Sequence, residues 1–328
     1  MKTLGITAGP CAAAAILLFA GVANATDAPT VDSQAASAVS TPPPASPAPA
    51  ASTWTPSPYA LPFGLRGTSA VNAVRAETAY GLNAGTSSTI VQYLTAAYAF
   101  VPQASAFVRG GWVDVVPTGH DSSTAFTNIT VGALWATRIH ETLRLEGVVG
   151  AGLPVAQGGG NAPNAGQAAA IAAGNLARSR YEGATTFSPN DLAPFVSGDV
   201  AWVSRGLTLQ GEVSLFEMVR VRGQQSDPDA AKTSLSVGLH VGYFVVPALS
   251  ISVELRDQSF LSTPAAVQAG TTARSWVTVG GGPRLNFELA PDVWLRPGLA
   301  FIQPLNDPSP TVSAARYHIF QLDLPLTF

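Results

Sequence analysis

From residue 61 to the C-terminus, apolar and polar residues alternate with period two. The clearest run is Leu235, Val237, Leu239, Val241, Tyr243 and Val245, interleaved with Ser234, Ser236, Gly238, His240 and Gly242. The next run sets Leu249, Ile251, Val253 and Leu255 against Ser250, Ser252, Glu254 and Arg256. An earlier one sets Leu143, Leu145, Val149 and Leu153 against Arg144 and Glu146. Side chains of a strand alternate between its faces, so each run predicts a strand with one apolar and one polar face. Twelve strands are predicted, at 70–82, 89–101, 104–116, 126–138, 142–154, 193–203, 207–221, 233–246, 249–258, 274–288, 293–304 and 317–328.

The connections fall into two sets that alternate along the chain. One set is tiny: 102–103, 139–141, 204–206, 247–248 and 290–292. The other is longer and polar: 83–88, 117–125, 155–192, 222–232, 259–273 and 305–316. Such sorting predicts an all-β, antiparallel up-and-down transmembrane barrel, with short periplasmic turns and long extracellular loops. A soluble sandwich has no reason to sort its connections this way. An even strand number also puts both ends of the barrel domain on the short-turn side.

Composition supports a membrane setting. Only 11% of the 328 residues are charged and 47% are hydrophobic, with mean hydropathy +0.24. Ordinary soluble domains carry about 25% charged residues. No apolar run of about 18 residues follows the first 25 positions, which argues against helical spans and leaves strands to cross.

The faces follow from the charges. Arg75, Arg144, Arg220, Arg256, Arg284 and Arg296, with Glu77, Glu146, Asp199, Glu212, Glu254 and Asp323, all fall opposite the apolar stripe, as does His240. Six cations and six anions in a dry core would be very costly. These residues are therefore expected to line a wet lumen, with the apolar stripe against lipid. Trp135, Trp202, Tyr243, Phe287, Phe301, Phe320 and Phe328 share the apolar faces, as membrane girdles or as generic strand packing. Val91, Gln92, Tyr93 and Leu94 do not sort cleanly. Glu217 falls on the lipid face, so it either lies above the membrane or marks a register slip.

The N-terminus reads as a signal peptide over 1–25. Lys2 precedes an apolar stretch at 11–22, and Ala23-Asn24-Ala25 has the small-x-small form of a cleavage site. The single Cys11 stands at the front of that stretch, not just after it, so lipidation is not expected. Residues 26–60, which include TPPPASPAPAAS, read as a Pro/Ala-rich disordered linker, leaving 61–328 for the barrel.

The chain ends YHIFQLDLPLTF, with Phe320, Leu322, Leu324, Leu326 and Phe328 at alternate positions. This ending resembles the C-terminal recognition signal of bacterial outer-membrane β-barrel proteins. The resemblance implies outer-membrane location, insertion by the barrel-assembly machinery, and closure of the last strand against the first. Pro325 departs from an ideal strand, but its lumen-facing parity and terminal position make it tolerable.

Candidate chemistry is sparse. None of the four histidines sits in a metal-ligand or nucleophile motif, and no catalytic residue, cofactor or metal is expected. His120-Asp121-Ser122-Ser123 reads as a solvated loop. Some twelve-stranded barrels are phospholipases using Asn, His and Ser, but no spacing here resembles theirs. Gly280-Gly281-Gly282 predicts a bend or close contact within a strand. Residues 165–180, AGQAAAIAAGNLARSR, have helical propensity reduced by Gly174, as an insert in the pore or as part of a plain loop. The net charge of −3 gives no footing to nucleic acid. The function expected is a porin-like channel or transporter for passive passage of small solutes. The main alternative is a structural or adhesin-like barrel with a plugged lumen, since twelve strands leave a narrow bore. An autotransporter-type translocator and an outer-membrane hydrolase rank behind. The expected partners are outer-membrane lipids, the barrel-assembly machinery and small solutes.

Overall fold

A computed structural model describes residues 59–84, 87–117, 121–178, 183–224, 227–307 and 312–328. The stretches expected to be signal peptide and linker, up to residue 58, and His120 lie outside the described residues. The wall comprises β1 (Ala73–Asn83), β2 (Ser87–Val101), β3 (Ala104–Pro117), β4 (Ile129–Arg138), β5 (Leu143–Leu153) and β6 (Asp191–Ser204). It continues with β7 (Leu207–Arg220), β8 (Ala231–Val246), β9 (Leu249–Phe260), β10 (Ser275–Leu285), β11 (Gly298–Pro304) and β12 (Tyr317–Thr327). Each strand pairs antiparallel with its neighbours in sequence, and β12 returns to β1 from Ala73↔Thr327 to Asn83↔Tyr317. The result is a closed twelve-stranded antiparallel barrel. Closure satisfies the backbone edge that an open sheet would expose to lipid. No helix among the described residues is long and apolar enough to cross a membrane.

The two faces have the polarity of a membrane barrel. Val253 is 54% exposed on the outside, while Glu254 is 1% exposed on the inside. Leu239, Val241, Tyr243, Phe320, Leu322 and Leu324 are likewise exposed outward, and Pro325 is buried inward. The short turns are tight. Between β6 and β7, Arg205 and Gly206 both take positive φ, 50° and 83°, the geometry that matches the twist of a two-residue hairpin.

Four details differ from the sequence expectation. The predicted loop at 83–88 shrinks to 84–86, because Asn83 and Ser87 extend the ladder as a pair. The strand predicted at 126–138 starts later, and a separate short strand, Ser123–Phe126, pairs with β3. The strands predicted at 274–288 and 293–304 are each broken, leaving a small hairpin of Phe287–Ala290 with Val293–Leu295. Pro297 has no N–H to donate at the break before β11. Tyr59 and Ala60, assigned to the linker, are packed inside the barrel.

Gly281 and Gly282 are where strands approach closely. A Cβ there would lie 2.2 Å from the Ser252 carbonyl oxygen and 2.0 Å from that of Leu299. The β10–β11 pairing accordingly jumps from Gly281↔Phe301 to Arg284↔Gly298.

A helix, α1 (Ala165–Ala177), enters the long-loop end of the lumen. The Asn164 side chain caps it, accepting from the Gln167 N–H at 3.0 Å. Its buried residues Ala170, Ile171 and Ala177 pack on inward-facing Ala79, Val91, Tyr93, Val113 and Val115. This explains why residues 91–94 did not sort by polarity. Val91 and Tyr93 face inward but are apolar because α1 covers them, while Leu94 faces out. Glu217 keeps its outward parity and accepts a hydrogen bond from the Thr233 hydroxyl at 2.7 Å, with no register slip in the β7–β8 pairing.

Candidate functional site

Residues 59–72 precede β1 and contribute no strand to the wall, and 59–68 lie inside the barrel. Buried backbone groups without a ladder need side-chain partners, and the lumen supplies them. The Ala60 N–H donates to Thr208 Oγ1 at 3.0 Å, and the Ala60 carbonyl lies 3.0 Å from His240 Nε2. Arg284 donates to the carbonyls of Leu61 at 3.2 Å and Pro62 at 3.1 Å. The Phe63 carbonyl accepts from Arg75 at 2.6 Å and from Gln321 at 3.1 Å. The Phe63 and Gly64 N–H groups both donate to the Glu254 carboxylate, the latter at 2.9 Å. A Cβ on Gly64 would lie 2.2 Å from Arg256 Nη1, so a side chain there would displace the guanidinium. Phe63 itself lies under the Arg284 guanidinium, 4.4 Å from its ring centroid.

Arg66 reaches the far side of the lumen. Its Nη1 lies 2.9 Å from Glu212 Oε1, 2.9 Å from Ser197 Oγ and 3.2 Å from Ser214 Oγ. The Arg66 N–H donates to Glu212 Oε2 at 2.9 Å, and its carbonyl accepts from Gln210 Nε2 at 2.8 Å. The Tyr59 hydroxyl donates to Gln210 Oε1 at 2.5 Å. Burial pushes the Tyr59 phenol up, and the charges of Asp199 and Glu146 push the same way, so it remains a neutral donor.

The wall charges form several groups. Asp323 bridges Arg75 at 2.7 Å and Arg284 at 2.6 Å. Glu77 receives Arg109 and Arg178, each at 3.2 Å, with Arg75 at 3.7 Å. Arg178 directly follows α1, so this ion pair ties the helical insert to the wall. The third group is acidic: Glu146, Asp199 and Glu212 stand directly opposite one another across β5, β6 and β7. His240 and Arg256 flank Glu254, each at 3.6 Å.

Twelve of the thirteen residues expected to line the lumen lie in strands with inward parity, while Arg296 falls in the break before β11, and they are not grouped as one ring. Arg220 pairs with Asp191 at 2.9 Å near the long-loop rim, where Lys232 joins at 2.5 Å. Arg144 stacks 5.1 Å from the Tyr59 ring, and Arg296 lies 5.4 Å from the Trp294 ring, towards the short turns. The expected wet face is instead closed over. Glu77, Glu212, Glu254 and Asp323 are all nearly inaccessible because the two inserts cover them. Sequence reasoning missed Arg66, Arg109, Arg178, Asp191, Gln210 and Gln321. Arg109 and Gln321 were legible from strand parity. Arg66 and Arg178 sit outside strands, where alternation gives no signal.

No family model and no curated protein matches this sequence. Among solved structures, the COG4313 outer membrane channel from Pseudomonas putida F1 aligns with TM-score 0.50 and 12% identity, over 79% of this chain and 96% of that one. The fold is that of an outer-membrane β-barrel. Two further barrels align less well. The NanC porin does so with TM-score 0.48 and 8% identity, over 78% of this chain and 98% of that one. The β domain of the Bordetella autotransporter BrkA does so with TM-score 0.46 and 12% identity, over 79% and 99%.

Proposed function

We propose that this outer-membrane-type barrel is a porin-like channel of the bacterial outer membrane, passing small solutes passively when its inserts withdraw. The observation that supports this is how the bore is filled. Wall side chains do not simply meet across it. The bore holds a separate segment, 59–68, and a helix, both outside the strand ladder. Many wall charges find their partners on those inserts: Glu212 on Arg66, Glu77 on Arg178, and Arg75 and Arg284 on backbone carbonyls. Withdrawal would leave a polar, charged passage.

The rival reading, a static barrel with a plugged lumen, draws support from the near-complete burial of Phe63 and Leu65. Single-channel recording in planar bilayers separates the two. Deleting residues 59–68 together with α1 should convert a mostly closed protein into a steadily conducting one. A deletion variant that folds, judged by heat-modifiable migration, yet carries no current would establish the static barrel instead.

A further inference from the structure

The 59–68 insert meets two arginines whose charge the wall does not balance. Arg75 and Arg284 share one anion, Asp323, at 2.7 and 2.6 Å. Glu77 is the next carboxylate, 3.7 Å from Arg75, but Arg109 and Arg178 stand closer to it, each at 3.2 Å. Glu254 has Arg256 at 3.6 Å and accepts the Phe63 and Gly64 N–H groups. A guanidinium in a protein does not deprotonate, so the Arg75–Arg284 pair keeps one positive charge in excess. Arg284 is 1% exposed, so solvent does not supply the counter-charge. Neutral oxygens of the insert take up the remaining donors. Arg284 donates to the Pro62 carbonyl at 3.1 Å and Arg75 to that of Phe63 at 2.6 Å, where Gln321 adds a donor at 3.1 Å. The Phe63 ring lies under Arg284, lodged where a Cβ on Gly298 would come within 2.6 Å of it.

We propose that Arg75, Arg284 and Gln321 form a site for small aromatic carboxylates, in which the Phe63 ring and the Pro62 and Phe63 carbonyls stand where the ring and carboxylate of a solute would lie. A carboxylate oxygen bonds a guanidinium more strongly than a peptide carbonyl does, and it cancels the excess charge. A flat ring joined to it fills the place of Phe63, between the Arg284 face and Gly298. The site opens at the short-turn mouth once the insert leaves, because Arg75, Arg284 and Asp323 lie within four residues of the strand ends Ala73, Leu285 and Thr327. A solute bound there excludes the insert and shifts the lumen towards the withdrawn state, by as much as its preference for that state. Passage of the solute rests on the channel proposal, but occupancy of the site does not.

The test uses benzoate as probe on the intact folded protein at fixed ionic strength, with benzamide, of like shape but uncharged, as control. Arg66 is the first Lys or Arg after Lys2, so trypsin cleavage after it reports withdrawal of the insert. Benzoate should speed that cleavage several-fold and benzamide should not. Acetate, which leaves the ring place empty, should need about tenfold more for the same effect. Arg284→Gln leaves Arg75 matched to Asp323, so cleavage of this variant, whatever its own baseline, should no longer respond to benzoate. Equal acceleration by benzamide or acetate, or a response that survives Arg284→Gln, overturns the proposal. Should Arg284→Gln fail to assemble, Gln321→Leu takes its place and should weaken the response about threefold, and an unchanged response overturns the proposal. If benzoate leaves cleavage of the intact protein unchanged, calorimetric titration of the 59–68 deletion variant decides. Saturable benzoate binding there, lost with Arg284→Gln, upholds the site, while no binding, or no assembled deletion variant to bind it, overturns the proposal. Occupancy is read here without conductance, so failure of the channel reading leaves these outcomes unchanged.

Discussion

Asp323 sits between the guanidinium groups of Arg75 and Arg284, with both of its oxygens engaged. Asp323→Asn preserves the shape but leaves two cations facing each other without their shared anion. Removing one partner of a buried ion pair costs about 3–5 kcal/mol, and a loss on that scale is expected in the urea midpoint of heat-modifiable migration. On the outer face the sign reverses. Val253→Arg should cost about 2–4 kcal/mol if it lies near the bilayer midplane, because lipid offers the charge no partner. Unchanged midpoints for both variants would mean that the inside and outside faces are interchanged. The parity of these charges was legible in the sequence, because a strand alternates strictly. Their partners were not. Arg75 and Asp323 are 248 positions apart, and only closure of β12 on β1 brings them together.

Elements outside the wall were the least legible. Residues 59–69 fall in no predicted strand, and their Pro-rich upstream neighbour made Tyr59 and Ala60 read as linker. The helix at 165–177 was visible from its alanines, but its destination was not, since helical propensity says nothing about what a helix packs against. The missing clue lay in the opposite wall, where Val91, Tyr93, Val113 and Val115 put an apolar patch on a lumen face. Gly174 is the close contact between the two. A Cβ there would lie 2.6 Å from Val113 Cγ2 and 2.7 Å from the Phe187 ring. Gly174→Val should therefore unseat α1 while leaving the wall ladders intact. Limited proteolysis should cut within 154–190 several times faster in this variant, with heat-modifiable migration of the barrel retained. Equal cleavage rates would show that α1 does not depend on this packing.

At the scale of the whole molecule, closure and recognition place separate demands on the C-terminal residue. The Phe328 N–H donates to the Asn72 carbonyl at 3.0 Å, a backbone contact that any residue except proline can make. Its side chain, 55% exposed, points away from the lumen and adds little to the packed interior. Phe328→Asp should thus change the stability of the refolded barrel by no more than about 1 kcal/mol, the scale of most exposed substitutions. The proposed role as an assembly signal demands something different in the cell. There the same substitution should lower the amount of folded protein in the outer membrane several-fold, while export across the inner membrane continues. Refolding the purified variant into detergent or lipid, alongside quantifying the folded form in membrane fractions, separates the two. Normal levels in cells would remove Phe328 as the recognition residue. A variant that also fails to refold when purified would make it a structural one, needed to seat β12 against β1.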